Sequence, residues 1–147
     1  MLLDEIKEAA EYGEVMKDTT GKCKYCRQFL AIRIPITWTE NDCDEVATEK
    51  CNCSGSKRYV THKKRVETLD KSLEKMFGSE SRRDVEPDTV DLIRSMALAV
   101  IAGNIEKVTI DIPSKKMNEP SERLKIHLKK ELLYIGIEKK VTNATII

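Results

Sequence analysis

The stretch "CKYCRQFLAIRIPITWTENDCDEVATEKCNC", Cys23 to Cys53, decides how the chain is read. It opens on a CxxC pair, Cys23 and Cys26, and closes on a CxC pair, Cys51 and Cys53, with 24 residues between them. A CxxC turn brings two thiolates to one side of a tight loop, and zinc takes four such sulfurs at about 2.3 Å in a tetrahedron. The second pair is not a CxxC, and the spacer is longer than in common zinc ribbons. In an extended chain the sulfurs of a CxC point to opposite faces, so the backbone has to turn there, as Ser54 and Gly55 permit. The expected ligands of a Zn2+ ion are Cys23, Cys26, Cys51 and Cys53, with Cys43 and His62 in reserve. Cys43 otherwise reads as a small buried hydrophobe and His62 as a seam residue of the following helix. A redox CxxC and unrelated buried cysteines are the competing readings. The redox one is weakened because the pair precedes a strand expected to stand alone, not a helix whose terminus would lower the thiol pKa. A site closed by four thiolates folds the chain and leaves no position for chemistry.

Between the cysteine pairs, "FLAIRIPITW" alternates Leu30, Ile32, Ile34, Ile36 and Trp38 on one face, the period of a half-buried strand. Pro35 places it at an edge. Thr39, with Asp42 three residues on, predicts an N-cap and a helix with acidic residues at its positive end. Upstream, Leu2, Leu3, Ile6, Ala9 and Ala10 predict a helix ending near Gly13. Downstream, Tyr59, His62, Val66, Leu69, Leu73 and Met76 predict a helix from about Ser56 to Phe77. "GSESRRDVEP" lacks an apolar period and reads as a linker. A helix capped at Asp88 or Thr89 and apolar nearly all round from Leu92 to Ala102 comes next, stopping at Gly103. The last third changes to a period of two: Val108, Ile110 and Ile112; Leu124, Ile126 and Leu128; Leu133, Ile135 and Ile137. These predict an antiparallel meander whose other face presents Thr109, Asp111, Lys125, His127 and Lys129.

The expected fold is therefore α+β. A zinc-ribbon or treble-clef-like N-terminal module, a connecting helix, and a helix packed on a three-stranded antiparallel meander follow one another. The expected domains are residues 1–78 and 88–147, joined by a linker over 79–87. A chain of 147 residues accommodates two such small modules, and pieces this small commonly need a metal staple. Five cysteines are too few for a disulfide scaffold, and neither an export signal nor a membrane-length apolar run is expected, which points to reducing cytoplasm.

Catalytic machinery is not visible. Two histidines, His62 and His127, fall in separate modules without a neighbouring nucleophile. "TTGKC" lacks the first glycine of a phosphate loop, and neither histidine heads the H-x-E of a zinc deaminase. The chain is expected not to be an enzyme. Net charge is only +1, but Lys57, Arg58, Lys63, Lys64 and Arg65 form a basic run just after the knuckle. Such a run is suited to phosphate contacts, and nucleic acid or a nucleoprotein is the first partner expected. The acidic run Glu40, Asp42, Asp44, Glu45 and Glu49 stands against it, since it could neutralise those cations in space. The second expectation is a protein partner or homodimer, because the apolar helices offer more surface than a three-stranded sheet covers.

The arrangement "CKYCRQFLAIRIP", then "ATEKCNC", then a charged helix resembles the N-terminal knuckle of small uncharacterised zinc-knuckle proteins carried by phages and mobile elements of Gram-positive bacteria. The helix and "VTIDIP" meander are similar to their C-terminal part. The resemblance implies a phage accessory protein working in the host cytoplasm, binding nucleic acid or inhibiting a host defence protein. It transfers no functional residue beyond the cysteines.

Overall fold

A computed structural model describes residues 1–81, 83, 85–113 and 120–139. The order of elements is α1 (Leu2–Glu11), β1 (Met16–Lys22), β2 (Phe29–Pro35), α2 (Glu40–Lys50), α3 (Ser54–Phe77), α4 (Pro87–Ile101), β3 (Lys107–Ile112), β4 (Glu122–Lys129) and β5 (Leu132–Lys139). The α+β class holds, with two separate antiparallel sheets, β1-β2 and β3-β4-β5. The chain divides into two units, Met1–Lys63 and Lys64–Ile147. That division falls inside α3, not at the expected 79–87 linker, because the C-terminal half of α3 supplies Leu69 and Leu73 to the second core.

In the first unit, β1 is an element the hydrophobic pattern does not announce. Its sequence MKDTTGK is polar, and it is a strand because it pairs along its whole length with β2, from Met16 opposite Pro35 to Lys22 opposite Phe29. β2 ends at Pro35, earlier than the expected run to Trp38. Trp38 N–H turns back to the Pro35 carbonyl at 3.1 Å, and Ile36 is exposed. Ile32 and Ile34 meet Cys43 and Val46 of α2, with Leu2, Leu3, Ile6 and Trp38 around them. Helix α2 begins where its cap predicts: Asp42 N–H donates to Thr39 Oγ1 at 3.3 Å, and Thr39 N–H to Asp42 Oδ2 at 3.0 Å. Gly21 lets β1 lie against α2, since a Cβ there would collide with the Cys43 carbonyl.

In the second unit, Leu69 and Leu73 of α3, Ile93, Ala97, Val100 and Ile101 of α4, and Leu124, Ile126 and Leu133 of the sheet form one core. The register is the one the alternation requires, with Val108 opposite Ile126, Ile126 opposite Ile135, and Leu124 opposite Ile137. Helix α4 starts a residue ahead of the predicted cap. Glu86 is its N-cap and Pro87 its first residue, so the fixed φ of proline replaces a side-chain cap. The predicted helical stripe on α3 is interrupted: Val66 and Met76 pack on the core, but His62 is exposed, which corrects its reading as a seam residue. No helix among the described residues is long and apolar enough to cross a membrane.

Candidate metal centre

The loop between β1 and β2 carries the first pair of thiols. Cys23 extends the ladder, its N–H donating to the Gln28 carbonyl at 3.0 Å, and the turn closes with Arg27 N–H on the Cys23 carbonyl at 3.0 Å. Arg27 adopts φ 62°, which lets the chain reverse within four residues. The second pair stands at the junction of two helices: Cys51 is the C-cap of α2, and Cys53 immediately precedes α3. The turn required of the CxC is thus made by ending one helix and starting another. Tyr25 packs on Gly55 in the first turn of α3, where a Cβ would sit 2.7 Å from Tyr25 Cβ, and its ring lies 5.7 Å from that of Tyr59.

These elements bring together the four predicted cysteines. All four Sγ atoms lie within 4.8 Å of one another, with Cys23 to Cys53 at 3.8 Å and Cys26 to Cys51 at 3.4 Å. A tetrahedron with sulfur at about 2.3 Å from its centre has edges of about 3.8 Å, so the separations fit a zinc-sized ion. The four cysteines could hold a metal ion, with Cys23 and Cys51 buried and Cys26 exposed. The two reserve ligands stay outside this cluster. Cys43 lies in the apolar contact between α2 and β2, where burial pushes its thiol pKa up.

The surroundings favour thiolates at two of the four positions. Burial raises the Cys23 thiol, but the Ser56 hydroxyl at 3.2 Å and the backbone N–H groups of Cys26 and Tyr25 outweigh it and bring the pKa down to about 6. Ser56 is fully buried and also donates its N–H to Cys53 Sγ at 3.4 Å; its hydroxyl first, and then this N–H, hold that thiol below its ordinary value. Cys53 thereby fills the place of an N-cap side chain for α3, satisfying one of the helix's unpaired donors. At Cys26 the Gln28 backbone contact favours thiolate, but the neighbouring sulfurs, Cys51 first, overrule it and push the thiol up to about 11. A cation shared by the four sulfurs would remove that opposition.

A polar network braces the loop from behind. Lys24 N–H donates to Thr48 Oγ1 at 3.1 Å, and Lys24 Nζ to Glu45 Oε2 at 2.6 Å. Glu45 also accepts from Tyr59 Oη at 2.6 Å and from Lys63 Nζ. Lys63 reaches Glu49 at 3.3 Å as well, and Glu49 Oε1 caps α1 by accepting Leu2 N–H at 3.1 Å. The acidic run thus meets the basic one, as charge alone allowed, but at a single cation. Lys57 and Arg58 are exposed in the first unit and make no ion pair among the described residues. Lys64 and Arg65 fall in the second unit, where Lys64 is exposed and Arg65 Nε donates to the Glu131 carbonyl at 2.9 Å.

No protein-family model, curated protein or solved structure matches the chain.

Proposed function

We propose that the chain is a non-enzymatic binding protein whose first module folds around one Zn2+ ion and presents cations to nucleic acid. The observation that carries the reading is the closed set of four cysteine sulfurs within 4.8 Å. Cys23, Cys26, Cys51 and Cys53 would hold the ion, whose part is to supply folding energy to a piece of chain with a small core. Four sulfur ligands leave no position for a substrate, so the value of the knuckle lies in the surface it holds in place.

On that surface Lys57 and Arg58 stand one turn into α3, immediately after Cys53, and face solvent without a carboxylate partner among the described residues. Clustered free cations gain affinity for phosphates by releasing counterions. Lys63 is the least suited of the five basic residues, since Glu45 and Glu49 already hold its ammonium group. A protein adaptor acting through apolar helices draws less support, because most of the apolar residues of α3 and α4 are used inside the second core, Leu92 being exposed.

Elemental mass spectrometry on protein purified without added zinc tests the first half: about one zinc per chain is expected, and none, with five titratable thiols and an intact fold, overturns it. Titration with labelled DNA and RNA tests the second half. Affinity is expected to fall steeply between about 50 and 200 mM salt, and further on joint Lys57→Ala and Arg58→Ala substitution. Salt-independent binding, or none at all, overturns the nucleic-acid reading.

A further inference from the structure

We propose that the solvent-facing side of the β1-β2 hairpin, continued into its cysteine-bearing tip, is a binding platform for single-stranded nucleic acid. Phe29 stacks on a base, and Lys22, Arg27 and Arg33 meet the flanking phosphates. This rests on the nucleic-acid reading above and adds to it a site made of different residues.

The register divides the hairpin into two unlike faces. One face carries Gly21 opposite Leu30, Thr19 opposite Ile32 and Lys17 opposite Ile34, and Ile32 and Ile34 are buried in the contact with α2. The other carries Lys22 opposite Phe29, Thr20 opposite Ala31 and Asp18 opposite Arg33, and all six of these residues are exposed. No described element of the first unit covers them. Phe29 is 72 % exposed, at the end of β2 that adjoins the cysteine-bearing turn. Lys22 Nζ stands 5.7 Å from the centre of its ring. Lys22 thus lies over the ring, and Thr20 and Ala31, both small and exposed, follow along the ladder on the same face.

The chemistry of this face selects the ligand. A protein-docking surface gathers several apolar side chains into a desolvated centre. Here one aromatic ring has Lys22 opposite it, Arg27 in the adjoining turn and Arg33 further along the same face, none of which makes an ion pair among the described residues; Asp18, opposite Arg33 in the register, is the one opposing charge on the face. An aromatic ring beside mobile cations matches a chain of planar bases joined by phosphates, in which stacking contributes without regard to sequence. A duplex keeps its base faces covered, so the ring could not stack on one. The tip adds a second half-exposed aromatic residue, Tyr25, held against Gly55 of α3.

The experiment is fluorescence anisotropy with zinc-loaded full-length protein and labelled 12-mers of oligothymidine and oligouridine, beside a duplex of equal length, at about 50 mM salt. The single strands are expected to bind at least about 10-fold more tightly than the duplex. Phe29→Ala is expected to weaken them by about 5- to 100-fold, the loss of one stacked base, while Phe29→Tyr restores binding. Zinc content and circular dichroism of each variant check that the fold is kept. Equal affinity for duplex, or single-strand affinity unchanged by Phe29→Ala, overturns the platform. If Lys57→Ala with Arg58→Ala weakens binding and Phe29→Ala does not, the platform falls and the α3 interface stands; the reverse pattern supports the platform and removes the α3 interface. No binding to any oligonucleotide overturns both, and capture of a protein with Phe29 at its centre would reassign the face.

Discussion

The hydroxyl of Ser56 lies 3.2 Å from Cys23 Sγ, on a side chain with no exposure to solvent. The same residue's N–H points at Cys53 Sγ, so one buried serine serves a thiol from each cysteine pair. Groups that hydrogen-bond to metal ligands orient them and set their basicity. Ser56→Ala is therefore expected to lower zinc affinity by about 10- to 100-fold, with the secondary structure retained when zinc is in excess. Competition against a chromogenic chelator measures it, and unchanged affinity would detach Ser56 from the site.

Cys26 is the exposed member of the cluster, so replacing it removes one of the four candidate ligands with little loss of packing. Cys26→Ala is expected to leave residues 20–55 open to protease while the meander of the second unit stays protected. Chelation of the wild-type protein should give the same cleavage pattern. Peptide mapping after limited proteolysis decides, and continued protection of residues 20–55 would mean that the knuckle folds without metal.

Glu45 is held well below its ordinary value of 4.5, to about 2: burial works against the charge, but donation from Lys24, Lys63 and Tyr59 prevails. A carboxyl depressed by folding stabilises the native state fully above the unfolded pKa, and this contribution fades as pH falls towards the folded one. Glu45→Gln is expected to cost about 2 kcal/mol at pH 7.5, a charge-assisted network lost. The gap to wild type should stay constant down to about pH 5.5 and narrow below pH 4.5. Lys63 shifts the opposite way, raised above 10.5 by its two carboxylates despite burial, so its share persists below that value and fades only in strong alkali. Urea midpoints across pH, with zinc loading checked at each point, test both signs.

Ile126 is fully buried at the centre of the meander, opposite Val108 on one side and Ile135 on the other. Ile126→Val is expected to cost about 1 kcal/mol and Ile126→Ala about 2 to 5 kcal/mol. Zinc content should be unchanged in both. Calorimetry with metal analysis checks the pair, and loss of zinc from Ile126→Val would show that the two units do not hold their stability separately.

Legibility in the sequence followed the kind of signal each residue carries. The inward face of the meander was readable, because nine inward aliphatic residues alternate without a break and a slip of one would turn them all to solvent; the pairing register itself comes from the structure. Thr39 and Asp42 marked the start of α2 correctly, since a capping box is a local bond pattern. β1 was not readable: Met16 to Lys22 has no apolar alternation, and pairing with β2 overrides its weak propensity. The four cysteines were legible from spacing, but not Ser56, whose role exists only once Cys23 and Cys53 are neighbours. His62 misled because it sits at the right interval on α3 while the contacts of α3 with the second core begin only at Val66. The alternation of Leu30, Ile32 and Ile34 already places Phe29 on the opposite face, but a lone aromatic residue there carries no sequence signal of a ligand.

Cys53 stands at the junction between the cysteine cluster and a helix of 24 residues. Closing the first turn is the slow, unfavourable step of helix growth, with a nucleation constant of about 0.001. A sulfur pinned in the N-cap position with the Ser56 N–H already upon it hands the chain that turn ready-made. Metal capture would then set the clock for the first turns of α3 and the module they close, while Leu69 and Leu73 carry the far end of α3 into the second core without it. The first unit of the zinc-free chain should therefore refold slowly and speed up in proportion to added zinc until ion capture ceases to be the limiting event.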